Sequence, residues 1–260
     1  MVITKYSLPH SQLHHKIAIL ADVHDKPVYK AVEVVKAEKP DLILIPGDLM
    51  TGHITKEAWD DDDRAYTDEL GVTHEKRPWT EPENAVRILQ ELVKIAPTYM
   101  SLGNHEYMWQ ERDIAFVESL GVTVLNNKWV RHGDVALGGL SSAQRYGLER
   151  VANPKPDVAW LDEFEQQEDY KILLMHEPQL WPKYIEGRNI DLTVSGHAHG
   201  GQWRFFGQGI FAPGQGLFPT LTKGFYFDNR LLVSAGLANT AGFILRLFNP
   251  TELVNLEIGD

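Results

Sequence analysis

Apolar positions along this chain come in two textures. Continuous runs at 17–21 and 42–45, rich in Leu and β-branched side chains and bounded by polar turns, have the pattern of strands buried on both faces. Between them Val28, Ala31, Val32 and Val35 recur at helical spacing, and Pro40 ends that helix. Thr80-x-x-Glu83 is a capping-box pattern that predicts a second helix start, with Val86, Leu89, Val93 and Ala96 on one face. After Pro97, residues 99–102 read as the next strand. Further strands are predicted near 135–140, 171–175 and 192–194, with helical patterns near 157–167 and 178–186. Beyond residue 200 Gly, Phe and short strands dominate, ending in 231–234, 243–247 and 253–256. An α/β start with a β-rich finish predicts two packed mixed sheets flanked by helices, in a single domain spanning 1–260.

One stretch breaks the pattern. Residues 52–83 hold ten acidic and four basic side chains, so six of the chain's eleven net negative charges lie in this insertion. Loops this long in a compact domain are usually functional or mobile. The run Asp60–Asp63 is read as a solvated acidic loop, because the alternating ligands and Gly of a calcium loop are missing.

Composition removes several classes of function. The chain has 260 residues and no Cys, which excludes disulfides, Cys-type zinc sites, iron–sulfur clusters and thiol nucleophiles. The net charge of −11 argues against duplex nucleic acid as a partner, since phosphate binding relies on clustered Lys and Arg. An anionic substrate would need a local positive centre. The start is polar, and the apolar run at 17–21 is shorter than the roughly 7–15 residues of a signal h-region. No run approaches the roughly 18–20 apolar residues of a membrane span, so the expectation is a cytoplasmic protein. The oligomeric state stays open.

Five clusters carry the candidate chemistry, each at or just after a predicted strand: Asp22-Val-His24, Gly47-Asp48, Gly103-Asn104-His105-Glu106, Met175-His176-Glu177 and Ser195-Gly196-His197-Ala198-His199-Gly200. Open α/β sheets converge functional groups at strand C-termini. On a strand, residues i and i+2 face the same way, so Asp22 with His24, and His197 with His199, are expected to chelate as pairs. Each cluster alone is an ordinary turn. Together they concentrate carboxylates and imidazoles in a way that cations would neutralise. Oxygen and imidazole donors without thiolate suit Mn, Fe, Zn, Ni or Co.

These five blocks resemble, in order, the signature of the calcineurin-like metallophosphoesterases. The match runs from residue 22 to 199. The continuation Gly200-Gly201-Gln202, then Phe211-Ala212-Pro213, Gln215-Gly216-Leu217-Phe218-Pro219 and Gly224-x-Tyr226, is similar to one bacterial branch of that family with GHxHGGQ and QGLFP motifs. Members of the branch often carry an N-terminal membrane or export segment, and none is expected from the residues at this start.

The resemblance implies a four-layer sandwich and a pair of divalent transition-metal ions. Asp22, His24, Asp48 and His199 would hold one ion, and Asp48, Asn104, His176 and His197 the other, with Asp48 bridging. A metal-bridging hydroxide would attack phosphorus, and His105 would protonate the leaving alkoxide or stabilise the transition state. Glu106 would accept hydrogen bonds behind the ligands. The substrate would be a small phosphorylated molecule, a phosphodiester ahead of a phosphomonoester or pyrophosphate. A metal-retaining scaffold without catalysis and a phosphoprotein phosphatase are the alternatives. Arg145 is read as a surface residue before a phosphate contact, and Ser141 and Ser142 stand where relatives often have acids. Six of the ten Phe fall between 205 and 227 and are read as sheet packing, with a groove for an apolar substrate portion as the alternative.

Overall fold

The computed structural model describes residues 1–63, 66–67, 73–74, 78–143, 155–239 and 245–259. In chain order it runs β1 (Val2–Leu8), β2 (His15–Ile19), α1 (Tyr29–Glu38), β3 (Leu42–Ile45), α2 (Lys56–Asp60), β4 (Tyr66–Thr67), β5 (Thr73–His74) and α3 (Glu83–Leu92). Next come β6 (Thr98–Met100), α4 (Glu111–Ser119), β7 (Val122–Val124), β8 (Lys128–His132), β9 (Val135–Leu140) and α5 (Leu161–Phe164). The chain continues through β10 (Tyr170–Met175), α6 (Trp181–Tyr184), β11 (Leu192–Ser195), β12 (Arg204–Phe205), β13 (Gln208–Gly209), β14 (Phe211–Ala212) and β15 (Gly216–Leu217). It closes with β16 (Gly224–Tyr226), β17 (Leu231–Val233) and β18 (Glu252–Ile258).

Two six-stranded sheets form, in the orders β1-β18-β2-β3-β6-β7 and β16-β17-β11-β10-β9-β8. Their central strands β2, β3, β6 and β9, β10, β11 are parallel; the first sheet has one antiparallel pairing, β18 with β2, and the second has one at each edge, so both sheets are mixed. The side-chain alternation of β3 explains the layers. Leu42 and Leu44 face the second sheet with Leu137, Ile172 and Leu174, while Ile43 and Ile45 face helices α1, α3 and α4. The outer face of the second sheet, through Leu173, Met175 and Val233, packs on α5 and α6. Helix, sheet, sheet, helix is the expected four-layer order. It also explains why 42–45 is apolar at every position: both faces are covered.

Several boundaries differ from expectation. No capping box forms at Thr80; Pro82 is the N-cap of α3, and its buried face is Ala85, Ile88, Leu89 and Leu92 rather than one centred on Val86 and Val93. Strand β1 was hidden in the polar start, because an edge strand paired only with β18 on one side can alternate polar and apolar positions. The helical patterns at 157–167 and 178–186 shorten to α5 and α6, the latter preceded by a 3₁₀ turn at Pro178–Leu180. Residues 245–247 form no strand beyond a bridge from Leu247 to Trp203, and 243–244 lie outside the described residues.

Candidate metal centre

The central parallel strands of both sheets end on the same rim, and the chemistry-bearing clusters sit there. Asp22 follows β2, Asp48 follows β3, Asn104 follows β6, His176 follows β10, and His197 and His199 follow β11. Backbone hydrogen bonds lock neighbouring loops in register: Val23 and His24 N–H donate to Asp48 O at 2.9 and 3.0 Å, and Gly196 N–H donates to His176 O at 3.1 Å. Across the two sheets, His197 N–H donates to Asp22 Oδ1 at 3.0 Å. Close approach at the centre demands glycine. A Cβ on Gly103 would lie 2.2 Å from Asp48 Oδ1, so no larger residue fits between the β3 and β6 loops.

All seven sequence-predicted ligands are buried, and six of them, all but Asn104, fall into close donor groups. Donor atoms lie within 4.8 Å of one another inside each of three groups: Asp22, His24 and His199; Asp48, His176 and His197; and His24, Asp48 and His105. His24 Nε2 is 3.7 Å and His176 Nε2 3.0 Å from Asp48 Oδ2, placing one Asp48 oxygen between the two halves. The expected chelating pair of His197 with His199 does not form. His197 and His199 fall into different groups, on backbone at φ of 65° and 44° that is not the extended strand the alternation assumes. Asp22 and His24 do share a group, although both are also left-handed.

The side chains are poised as ligands. Asp22 Oδ2, His24 Nε2, Asn104 Oδ1 and His197 Nε2 are buried without a hydrogen-bond partner, each a cost of about 1–3 kcal/mol unless something binds them. His176 Nδ1 lies 2.9 Å from Pro46 O and His199 Nδ1 3.3 Å from Ala238 O. A carbonyl only accepts, so both rings carry the Nδ1 proton and their Nε2 atoms face the centre. Burial holds His24 and His197 well below the ordinary imidazole value, and lowers His199, which keeps these rings neutral at pH 7. Burial also opposes the Asp48 charge, yet His176 and then His105 outweigh it and hold that carboxyl well below its usual range. Burial lowers His176 too, but the Asp48 charge wins and raises it to about 10. Such an imidazolium–carboxylate contact is what a bare donor cluster forms in place of a cation. The donor set therefore fits divalent cations: paired carboxylate oxygens, four imidazoles, one amide oxygen and no thiolate.

Two neighbours orient the cluster. Glu106 accepts from Asp48, Gly103 and Met50 N–H at 2.9, 2.8 and 3.1 Å, tying the β3 and β6 loops together. Burial, with the Asp48 charge second, raises Glu106 to about 8, against the pull of those N–H groups. His105 Nδ1 is 2.6 Å from Thr51 Oγ1, and its backbone N–H donates to Asp48 Oδ1 at 3.0 Å. Glu177, raised by burial, accepts from the Ser142 hydroxyl; Arg145 lies outside the described residues.

Three residues were missed by sequence reasoning. Thr51 carries no motif of its own. Gly236, at φ +77°, has Asp22 Oδ2 2.6 Å from where a Cβ would stand, and no chemistry-bearing neighbour in the sequence marks it. Arg246, brought down to about 10 by burial, donates to the Ala235 and Gly236 carbonyls and lies 3.5 Å from His199 Nδ1. The acidic run needs a correction as well. Asp62 is not solvated: it is buried against His53 Nε2 at 2.8 Å, while Asp113 takes His53 Nδ1 at 2.7 Å.

Residues 15–201 match the family model described as calcineurin-like phosphoesterase. A metallophosphoesterase of Aquifex aeolicus is 28% identical over 260 residues, covering 94% of this chain and 84% of the relative. One from Helicobacter pylori is 26% identical over 253 residues, and there the chain spans 59% of the relative's length. A solved structure from Thermus thermophilus aligns with 71% of this chain and 82% of its own at 16% identity and a TM-score of 0.43.

Proposed function

The chain belongs to the calcineurin-like phosphoesterase family, and from that premise we propose that it hydrolyses a small phosphorylated substrate, a phosphodiester first, with two divalent metal ions. The observation that carries this reading is the pair of donor groups meeting at Asp48, with buried oxygen and nitrogen atoms left unpartnered between them. Asp22, His24 and His199 would hold one ion and Asn104, His176 and His197 the other, with Asp48 serving both. Bound there, the pair would supply Lewis acidity, lowering the pKa of water and drawing charge from phosphoryl oxygens.

The chain's own residues do the rest. Asp48 and Asp22 are anchored through backbone N–H groups of His105 and His197, so their free oxygens cannot swing away. In its protonated form His105 donates Nδ1–H to Thr51, which aims Nε2–H along the side of the site where His24 stacks edge-on at 4.6 Å. That proton would go to the departing alkoxide. Glu106 keeps the two loops at fixed spacing.

Metal analysis of the purified protein should find about two ions per chain, with hydrolysis of an aryl phosphodiester on addition of Mn²⁺. His105→Ala should keep the metal and lose turnover by roughly 10²–10⁴-fold. A scaffold without catalysis would bind the ions and turn over nothing.

A further inference from the structure

The Phe-rich segment is not sheet packing. Of its six phenylalanines only Phe225 joins the inter-sheet core; Phe205, Phe206, Phe211, Phe218 and Phe227 are exposed. Phe206 stands at 108% of its reference exposure, and Leu217, Phe218, Leu245 and Phe248 at 65–77%. These side chains project from turns. Phe206 lies in the β12–β13 hairpin turn, Phe218 just after β15, and Phe248 in the segment that meets the hairpin through a Phe205–Phe248 edge contact at 5.5 Å.

Backbone geometry makes the exposure harder to dismiss. Phe206, Phe218 and Phe248 have φ of 50°, 53° and 54°, a left-handed state that Gly or Asn adopts far more readily. The turns thus hold the residue that fits them worst, with its ring in water. Apart from the Phe205–Phe248 edge contact, packing among the described residues gains nothing from that arrangement, which points to a gain outside them.

Charge points to what lies there. The chain has 36 acidic residues, yet none falls between Asp191 and Asp228 and none between Asp228 and Glu252. Carboxylates would be desolvated at a bilayer and repelled by anionic headgroups, and the segment 192–251 that carries the rings holds one, Asp228. Cations are not the anchor either. The Arg204 guanidinium is held by Gly200 O at 2.7 Å and Thr222 Oγ1 at 2.9 Å, and Lys223 pairs with Glu252 at 2.7 Å. A protein interface would present rings packed on a supporting surface; a Phe206 ring that packs on nothing suits insertion between lipid tails instead.

We infer that the tips carrying Phe206, Leu217, Phe218 and Phe248 are a docking surface that inserts peripherally into the apolar layer of a lipid bilayer. Among the described residues no helix is long and apolar enough to cross one. The hairpin stands on the ligand loop itself: Gly209 backbone lies 2.5 Å from where a Gly201 Cβ would be, two residues after His199. A two-residue hairpin arm reaches only about 7 Å, so docking would bring the metal centre close to the headgroup layer.

Flotation with phosphatidylcholine vesicles tests this with the full chain. The wild type should float with the vesicles, with little dependence on salt because insertion is apolar. The triple variant Phe206→Asn, Phe218→Asn, Phe248→Asn should leave at least about tenfold less protein in the floated fraction. Its melting temperature should be equal or higher, since Asn suits each backbone, which separates lost docking from lost folding. A wild type that stays at the bottom of the gradient overturns the inference, and so does equal flotation of both proteins. A wild-type dimer that the variant loses, without vesicle binding, overturns it in favour of a second copy of the chain. Turnover of a soluble aryl phosphodiester, measured alongside, bears only on the hydrolase reading; flotation stands or falls without it.

Discussion

Two regions of this protein hold non-glycine residues in the same left-handed backbone state and treat them in opposite ways. In the metal centre, Asp22, His24, Asp48, His197 and His199 have φ between 44° and 65°; on the apolar rim Phe206, Phe218 and Phe248 have φ between 50° and 54°. The local cost is of order 1–2 kcal/mol for a bulky ring and smaller for Asp and His, which enter this region more readily. At the centre the state is imposed by hydrogen bonds that cross from loop to loop: His24 N–H to Asp48 O, His197 N–H to Asp22 Oδ1. At the rim the rings face water. Strain braced from inside fixes side chains before a ligand arrives, whereas strain that nothing covers presents side chains to something outside. The difference gives each region its own signature under mutation.

The centre should break hardest at its shared carboxylate. Asp48→Asn keeps the shape and one acceptor oxygen but removes the charge opposite His24, His105 and His176. Turnover of an aryl phosphodiester should fall by at least about a thousandfold, and metal content measured by mass spectrometry should drop with it. Retained activity in this variant would mean that the two donor groups do not work through Asp48 at all.

How far the sequence anticipates each region follows from the range of the interactions. Strands β3, β10 and β11 were legible because both their faces are buried, which leaves an unbroken apolar run at 42–45 and 172–175 and a mostly apolar one at 192–194, interrupted by Thr193. The ligand residues were legible for the same reason: each polar cluster stands directly after such a run. What was not legible depends on contacts between distant segments. Nothing local to Gly236 announces Asp22, and nothing in Asp60–Asp63 says that one carboxylate of the four turns inward to His53. Aromatic residues in a β-rich segment are ordinarily core, and only the three-dimensional placement of Phe206 on a two-residue turn reverses that prior.

His53 sharpens the comparison, since it is a buried histidine whose demands are met within the chain. Both ring nitrogens are partnered by carboxylates, and Asp113 also accepts from Ile54 and Thr55 N–H at 3.1 and 3.0 Å. The His53 pKa is raised: burial opposes the charge, but the hydrogen bonds to Asp113 and Asp62 outweigh it. A folded-state pKa above the unfolded value of about 6.5 means a contribution complete below that pH and lost as pH climbs through the raised value. His53→Gln should therefore lower the melting temperature by roughly 5 °C at pH 6, with a gap that narrows towards pH 9. Metal content should not change, because His53 offers no free nitrogen. A gap that widens with pH would show that the ring is neutral between its carboxylates.

The smallest effect is the one with the unexpected sign. At Phe206 the wild-type ring is fully solvated and its backbone is left-handed at φ 50°, so replacing it removes no packing and relieves local strain. Phe206→Asn alone should raise the melting temperature by about 2–4 °C, the equivalent of roughly 1 kcal/mol in a chain of this size. A corresponding change at His24 or His199 would relieve strain of the same kind, yet it would also remove a donor that the centre holds in place. Calorimetry on Phe206→Asn thus asks whether the rim is free of internal duty. Destabilisation would mean that the ring supports the hairpin after all, and the two left-handed regions would then be alike. Stabilisation would leave the rim as a place where the chain gives up stability within itself for a contact made outside it.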